Sequence, residues 1–110
     1  MRKYSERLIV NGIFEDRNII KCGNHTLVKN INNSTIDLLY HGNRIMQIDD
    51  VNMLIVIDDC GYGTTSTTQA INSHLQALEI ILGKNNGYDI LDLSYNQRFL
   101  KSAKRILKGE

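Results

Sequence analysis

The sequence has no proline and no tryptophan, only two cysteines, and aromatic side chains at 6% of its 110 positions. Without proline, and with no Ser/Gly-rich stretch, there is no segment of linker type, so the chain reads as a single α+β domain over residues 1–110. Cys22 and Cys60 are too few for the disulfide scaffold of a small secreted domain and are expected to be free thiols of a cytoplasmic protein. No long apolar run is present either. The longest, Met53–Ile57, is far short of the ~20 residues that span a bilayer. Behind the basic N-terminus, Leu8–Val10 is interrupted by Asn11 and Gly12 before a signal-peptide core forms. Nor is charge of one sign in excess, since 13 Lys and Arg face 12 Asp and Glu. What the chain does have is aliphatic bulk. Leu, Ile, Val and Phe fill about 30% of positions, above the ~20% below which a chain is too polar to collapse.

The hydrophobic period changes once, near residue 61, from strand-like to helix-like. In Thr35–Tyr40, Ile36, Leu38 and Tyr40 share one face, the period-2 pattern of a half-buried strand. Gly42-Asn43 is expected to turn a hairpin into Arg44–Ile48, and Asp49-Asp50 to turn the chain again into Met53–Ile57. That last run has no polar face, so it is expected to be the most central strand. Upstream, His25–Lys29, Asn18–Lys21 and Arg7–Val10 are further strand candidates. After Gly63, the stripe Ile71, His74/Leu75, Leu78, Ile81/Leu82 predicts a helix over 66–83, opened by a capping box from Ser66 to Gln69 and closed by Gly83. Tyr88–Leu93 reads as a short strand, and Phe99, Ala103, Ile106 and Leu107 as the apolar side of a second helix over 95–108. The expected fold is an antiparallel meander of four or five strands packed against the main helix, with the second, C-terminal amphipathic helix docked beside it.

Three groupings bear on chemistry. The loop Asp58–Thr68 joins strand to helix and is rich in Gly and hydroxyls, as at anion-binding helix N-termini. It lacks the P-loop lysine, and Ser66 stands where a dinucleotide fingerprint needs its third Gly; two carboxylates directly before it also repel phosphate. Its plainer role is to cap the helix. Cys22 and His25 have C-x2-H spacing that His41 and Cys60 can complete, but zinc sites normally bring two close pairs, so no metal is expected. Adjacent acids at Asp49-Asp50 and Asp58-Asp59 point to opposite faces in an extended chain and offer one ligand each. No nucleophile elbow and no Cys/His signature appears, so no catalytic residue and no cofactor is assigned.

The third grouping is basic. Arg98, Lys101, Lys104, Arg105 and Lys108 recur every three or four residues, and from 98 to 110 only Glu110 opposes them. Such a stripe suits an acidic protein surface or a phosphate backbone, although cations near a helix C-terminus also complement its dipole. Phe99 is the one aromatic from 98 to 110 and lies on the apolar side, so base stacking by this stripe is not indicated.

The pattern Leu38–Ile45, Ile55–Asp58, then Gly61, Thr64, Ser66-Thr-Thr68, Ile71-Asn72 and Leu75 resembles small proteins of phages and other mobile elements, over residues 35 to 82. Richness in Asn, Ile, Lys and Tyr, expected of AT-rich coding sequence, fits that origin. The resemblance implies a protein similar to anti-CRISPR and other anti-defence inhibitors. Such a protein works without catalysis in the host bacterial cytosol, binding a host protein or ribonucleoprotein such as a CRISPR effector. The expected contacts are the basic stripe together with Tyr62, Thr64 and Thr65. Alternatives are a nucleic-acid-binding protein using the same stripe, and a protein that sequesters a nucleotide second messenger at the Gly/Thr loop.

Overall fold

A computed structural model describes Tyr4 and residues 6–61, 64–83 and 86–93. Within these residues the fold is α+β. A six-stranded sheet runs in chain order: β1 (Ile19–Cys22), β2 (His25–Asn30), β3 (Thr35–Tyr40), β4 (Asn43–Asp49), β5 (Leu54–Ile57) and β6 (Asp89–Asp92). The helix α1 (Thr65–Leu82) lies between β5 and β6 in sequence. Strands β1 to β5 form the expected antiparallel meander, whereas β6 pairs parallel to β5. The all-antiparallel expectation is therefore corrected at its last strand. A helix-length crossover returns the chain to the end of the sheet where β5 began, which is how parallel neighbours are joined. The expected helix over 95–108 lies outside the described residues.

Register places one face of the sheet inside. Ile20, Leu27, Leu38, Met46, Ile57 and Asp92 stand opposite one another across all six strands, and Ile36, Ile48, Ile55 and Ile90 form a second row. Against these rows α1 lays Ala70, Ile71, His74, Leu75 and Leu78, each almost entirely buried. Removing a Leu or Ile side chain from water in this way contributes about 1.5–3 kcal/mol. The outer face is left without a helix among the described residues. Leu54 and Val56 are accordingly only half-buried. Strand β5, expected to be central because its run is wholly apolar, is fifth of six; its apolar outward residues were the misleading part of that pattern.

Two local corrections have clear causes. Residues Glu6–Asn11, with Arg7–Val10 among the strand candidates, wind as a π-helical segment. Leu8 and Ile9 are adjacent and both fully buried. A strand would send neighbours to opposite faces, whereas a helical winding turns both toward α1 and the sheet. The β3–β4 hairpin turns at His41-Gly42 rather than Gly42-Asn43. Both turn residues have positive φ (51° and 82°), the pattern of the I′ turn that matches strand twist, and this leaves Asn43 free to pair with Tyr40. The register then slips at Leu38/Leu39, where Ile45 is the extra residue of a bulge; it turns inward beside Met46, so consecutive residues are both buried.

Candidate functional site

At the end of the sheet where β3 passes into β4, the turn and the first turn of α1 face each other across a cleft. It has a volume of ≈ 380 Å³ and is lined by Tyr40, His41, Asn43, Ile45, Thr64, Ser66 and Thr67. Each wall follows from local chain geometry. The I′ turn lifts His41 out of the sheet, and the bulge drives Ile45 in as an apolar floor. The opposite wall is set by the helix cap. Thr64, not Ser66, is the N-cap: its Oγ1 accepts from the Thr67 backbone N–H at 3.2 Å and donates to the Thr67 hydroxyl oxygen at 2.9 Å, while Ser66 sits exposed on the first turn. The expected capping box is thus displaced by two residues, because Thr64 keeps the extended backbone (φ −78°, ψ 158°) that an N-cap needs and Ser66 is already helical.

Behind Tyr40 stands a column of rings. His25 stacks on Tyr40 (4.7 Å, 27°) and, on its other side, on Tyr4 (5.3 Å, 25°), while His74 of α1 meets His25 edge-on at 5.6 Å. Tyr40 also touches His41, the ring centroids 4.4 Å apart and tilted by 56°. His25 is 2% exposed, and its Nδ1 is buried with no hydrogen-bond partner among the described residues. Burial lowers the pKa of His25, helped by the nearby His41. Burial, then His25, brings His74 down to about 3. Both imidazoles are therefore neutral near pH 7, as an apolar setting demands.

The loop Asp58–Gly61 turns its carboxylates on itself: Asp58 accepts the Cys60 N–H at 2.8 Å and Asp59 the Gly61 N–H at 2.9 Å. Neither carboxylate lines the cleft. The Cys60 thiol donates to the Arg44 carbonyl at 3.2 Å, and burial, with Asp58 and Asp59 close by, pushes its pKa up, which makes it a poor nucleophile. Cys22 and His25 do face each other across the β1–β2 hairpin. No three His, Cys, Asp or Glu side chains gather into a metal-ligating group among the described residues.

Of the residues singled out in the sequence, Thr64 lines the cleft and Thr65 is exposed next to it. Tyr62, Arg98, Lys101, Lys104, Arg105 and Lys108 lie outside the described residues. Tyr40, Asn43 and Ile45 were not singled out, and His41 only as a metal ligand; the turn at His41-Gly42 was the signal that placed them here. A second hollow of ≈ 220 Å³, apolar and bordered by Phe14, Ile36, Ile48, Leu78 and Tyr88, lies at the opposite end of the strands and of α1. No helix among the described residues is long and apolar enough to cross a membrane. Comparison of the chain with protein-family models, with curated proteins and with solved structures finds no match.

Proposed function

We propose that this chain is a non-catalytic binding protein of phage or mobile-element type, which occludes a host antiviral ribonucleoprotein, a CRISPR effector, by seating a projecting group of that complex in the cleft. One observation carries the reading: a preformed concavity whose walls are a strained hairpin turn and a helix cap, with His41, Thr64, Thr65 and Ser66 exposed at it. Small-ligand and side-chain sites are hollows of this kind with a few fixed polar groups. His41 holds a left-handed backbone (φ 51°) at its lip. Such conformations cost free energy and cluster where a side chain must be presented in one direction. Resemblance to small mobile-element proteins supplies the partner class, and the basic stripe 98–108, known from sequence, supplies attraction toward a nucleic-acid-bearing complex.

The test is binding of the full chain to a purified guide-loaded effector, with Thr65→Glu and Ser66→Glu introduced together. An acid in the first turn of a helix is favoured by its dipole, so the double variant keeps its fold by circular dichroism. The reading expects affinity for the effector to fall at least tenfold, while Phe14→Ser, at the distant apolar hollow, leaves it unchanged. Equal binding by the double variant removes the cleft from the account.

A further inference from the structure

Every described residue that lines the cleft is uncharged or, in His41, an exposed imidazole: Tyr40, His41, Asn43, Ile45, Thr64, Ser66 and Thr67 include no Lys, Arg, Asp or Glu. A fully charged group placed among them would find no counter-charge, and Asp58 and Asp59 in the adjoining loop disfavour an anion further. The lining instead matches a flat, neutral ring with hydrogen-bonding edges. Tyr40 and His41 form a corner of two rings, 4.4 Å apart and inclined by 56°. Stacking of Tyr40 on His25, and of His25 on Tyr4, fixes the Tyr40 plane in advance, so little side-chain freedom is lost when a third ring meets that corner. Ile45 gives an apolar floor. The Asn43 amide, one N–H of which reaches the His41 carbonyl at 3.4 Å, keeps a donor and an acceptor, and the Ser66 hydroxyl offers either, which is the mixed pattern that the edge of a nucleobase carries.

Size narrows the class. A volume of ≈ 380 Å³ is at the lower end of the ~300–1,000 Å³ usual for small-molecule sites, room for one base or nucleoside rather than a dinucleotide. We infer that the cleft is a nucleobase site, taking one uncharged heterocycle against the Tyr40–His41 corner with any phosphate left outside. This rests on the binding reading above and names the projecting group that the cleft seats. The base has two possible sources, a free nucleoside or nucleotide and an unpaired base in a strand, and both present the same ring.

The experiment is titration of the ¹⁵N-labelled full chain, followed by amide shifts, with the four ribonucleosides, with ribose alone, and with single-stranded hexanucleotides of each base. At least one nucleoside is expected to saturate, moving the amides of His41, Asn43 and Ser66, while ribose does not. A hexanucleotide that binds more than tenfold tighter than its nucleoside identifies a strand as the source; equal affinity identifies the free compound. His41→Gly removes one ring at a position whose positive φ glycine adopts freely, so it keeps or raises the melting temperature. It is expected to weaken base binding at least tenfold, and Phe14→Ser not to change it. No saturation by any base, binding by ribose equal to that by nucleosides, or full affinity in His41→Gly overturns the inference. The two readings fail separately: an effector that is bound and inhibited by a chain that takes no base refutes this site alone, and a base that binds to a chain which leaves effectors untouched refutes the host target alone.

Discussion

His25 and His74 are the imidazoles that the fold takes out of water, 2% and 0% exposed, and their burial gives the molecule a pH dependence of definite sign. The ordinary pKa of 6.5 applies to the unfolded chain, and His74 in the folded chain has a pKa of about 3. Between those values the unfolded state binds a proton that the folded state refuses, so stability falls as pH is lowered through that window and is fully present above it. Each such histidine contributes a slope of up to about 1.4 kcal/mol per pH unit. Urea midpoints measured at pH 7 and pH 5 are expected to drop on acidification, and His74→Gln to flatten that drop even though it lowers stability at pH 7. Identical slopes for the parent chain and the variant would show that His74 does not set the acid limit.

At the scale of elements, the location of the α1 cap gives a clean comparison. Thr64 satisfies the Thr67 N–H, whereas Ser66 Oγ lies 3.4 Å from Thr64 Oγ1 and makes no cap bond. Thr64→Ala is expected to cost about 1 kcal/mol in thermal or urea unfolding and Ser66→Ala no more than a few tenths. The reverse order would place the cap where the sequence alone suggested it. Much of the element layer is legible in the sequence. The period-2 run Thr35–Tyr40 marks β3, and the 3.6-period stripe from Ile71 to Leu82 marks α1 with Gly83 at its end, because these patterns report one-sided burial directly; β4 is expected as the hairpin partner of β3. What was not legible depends on neighbours far away in sequence. Leu8-Ile9 reads as extended until α1 supplies a wall that takes both side chains, and Tyr88–Leu93 does not announce which strand it joins or in which direction. The cleft was half-visible. The Thr/Ser loop was noticed as a helix start, but its other wall is made of turn residues whose placement follows from a one-residue shift of the hairpin and a bulge at Ile45, and neither leaves a mark in hydrophobic periodicity.

For the molecule as a whole, charge and shape are divided between its parts. Residues 1–97 carry eight Lys and Arg against eleven Asp and Glu, and the remaining residues carry five against one. On the proposed reading, a chain so divided attracts a phosphate-bearing complex to one part while the cleft supplies fit, and salt is expected to act mainly on the rate of encounter. A protein that works by occupancy is consumed in proportion to its target, whereas one that works by turnover is not. The decisive measurement is therefore the residual target cleavage of a purified guide-loaded effector as the ratio of this chain to effector is raised. Occupancy predicts that activity falls linearly and ends at a fixed stoichiometric ratio, independent of incubation time, with the Thr65→Glu, Ser66→Glu chain far less effective. Loss of activity at ratios well below one that deepens with time, or no loss at any ratio, would contradict it.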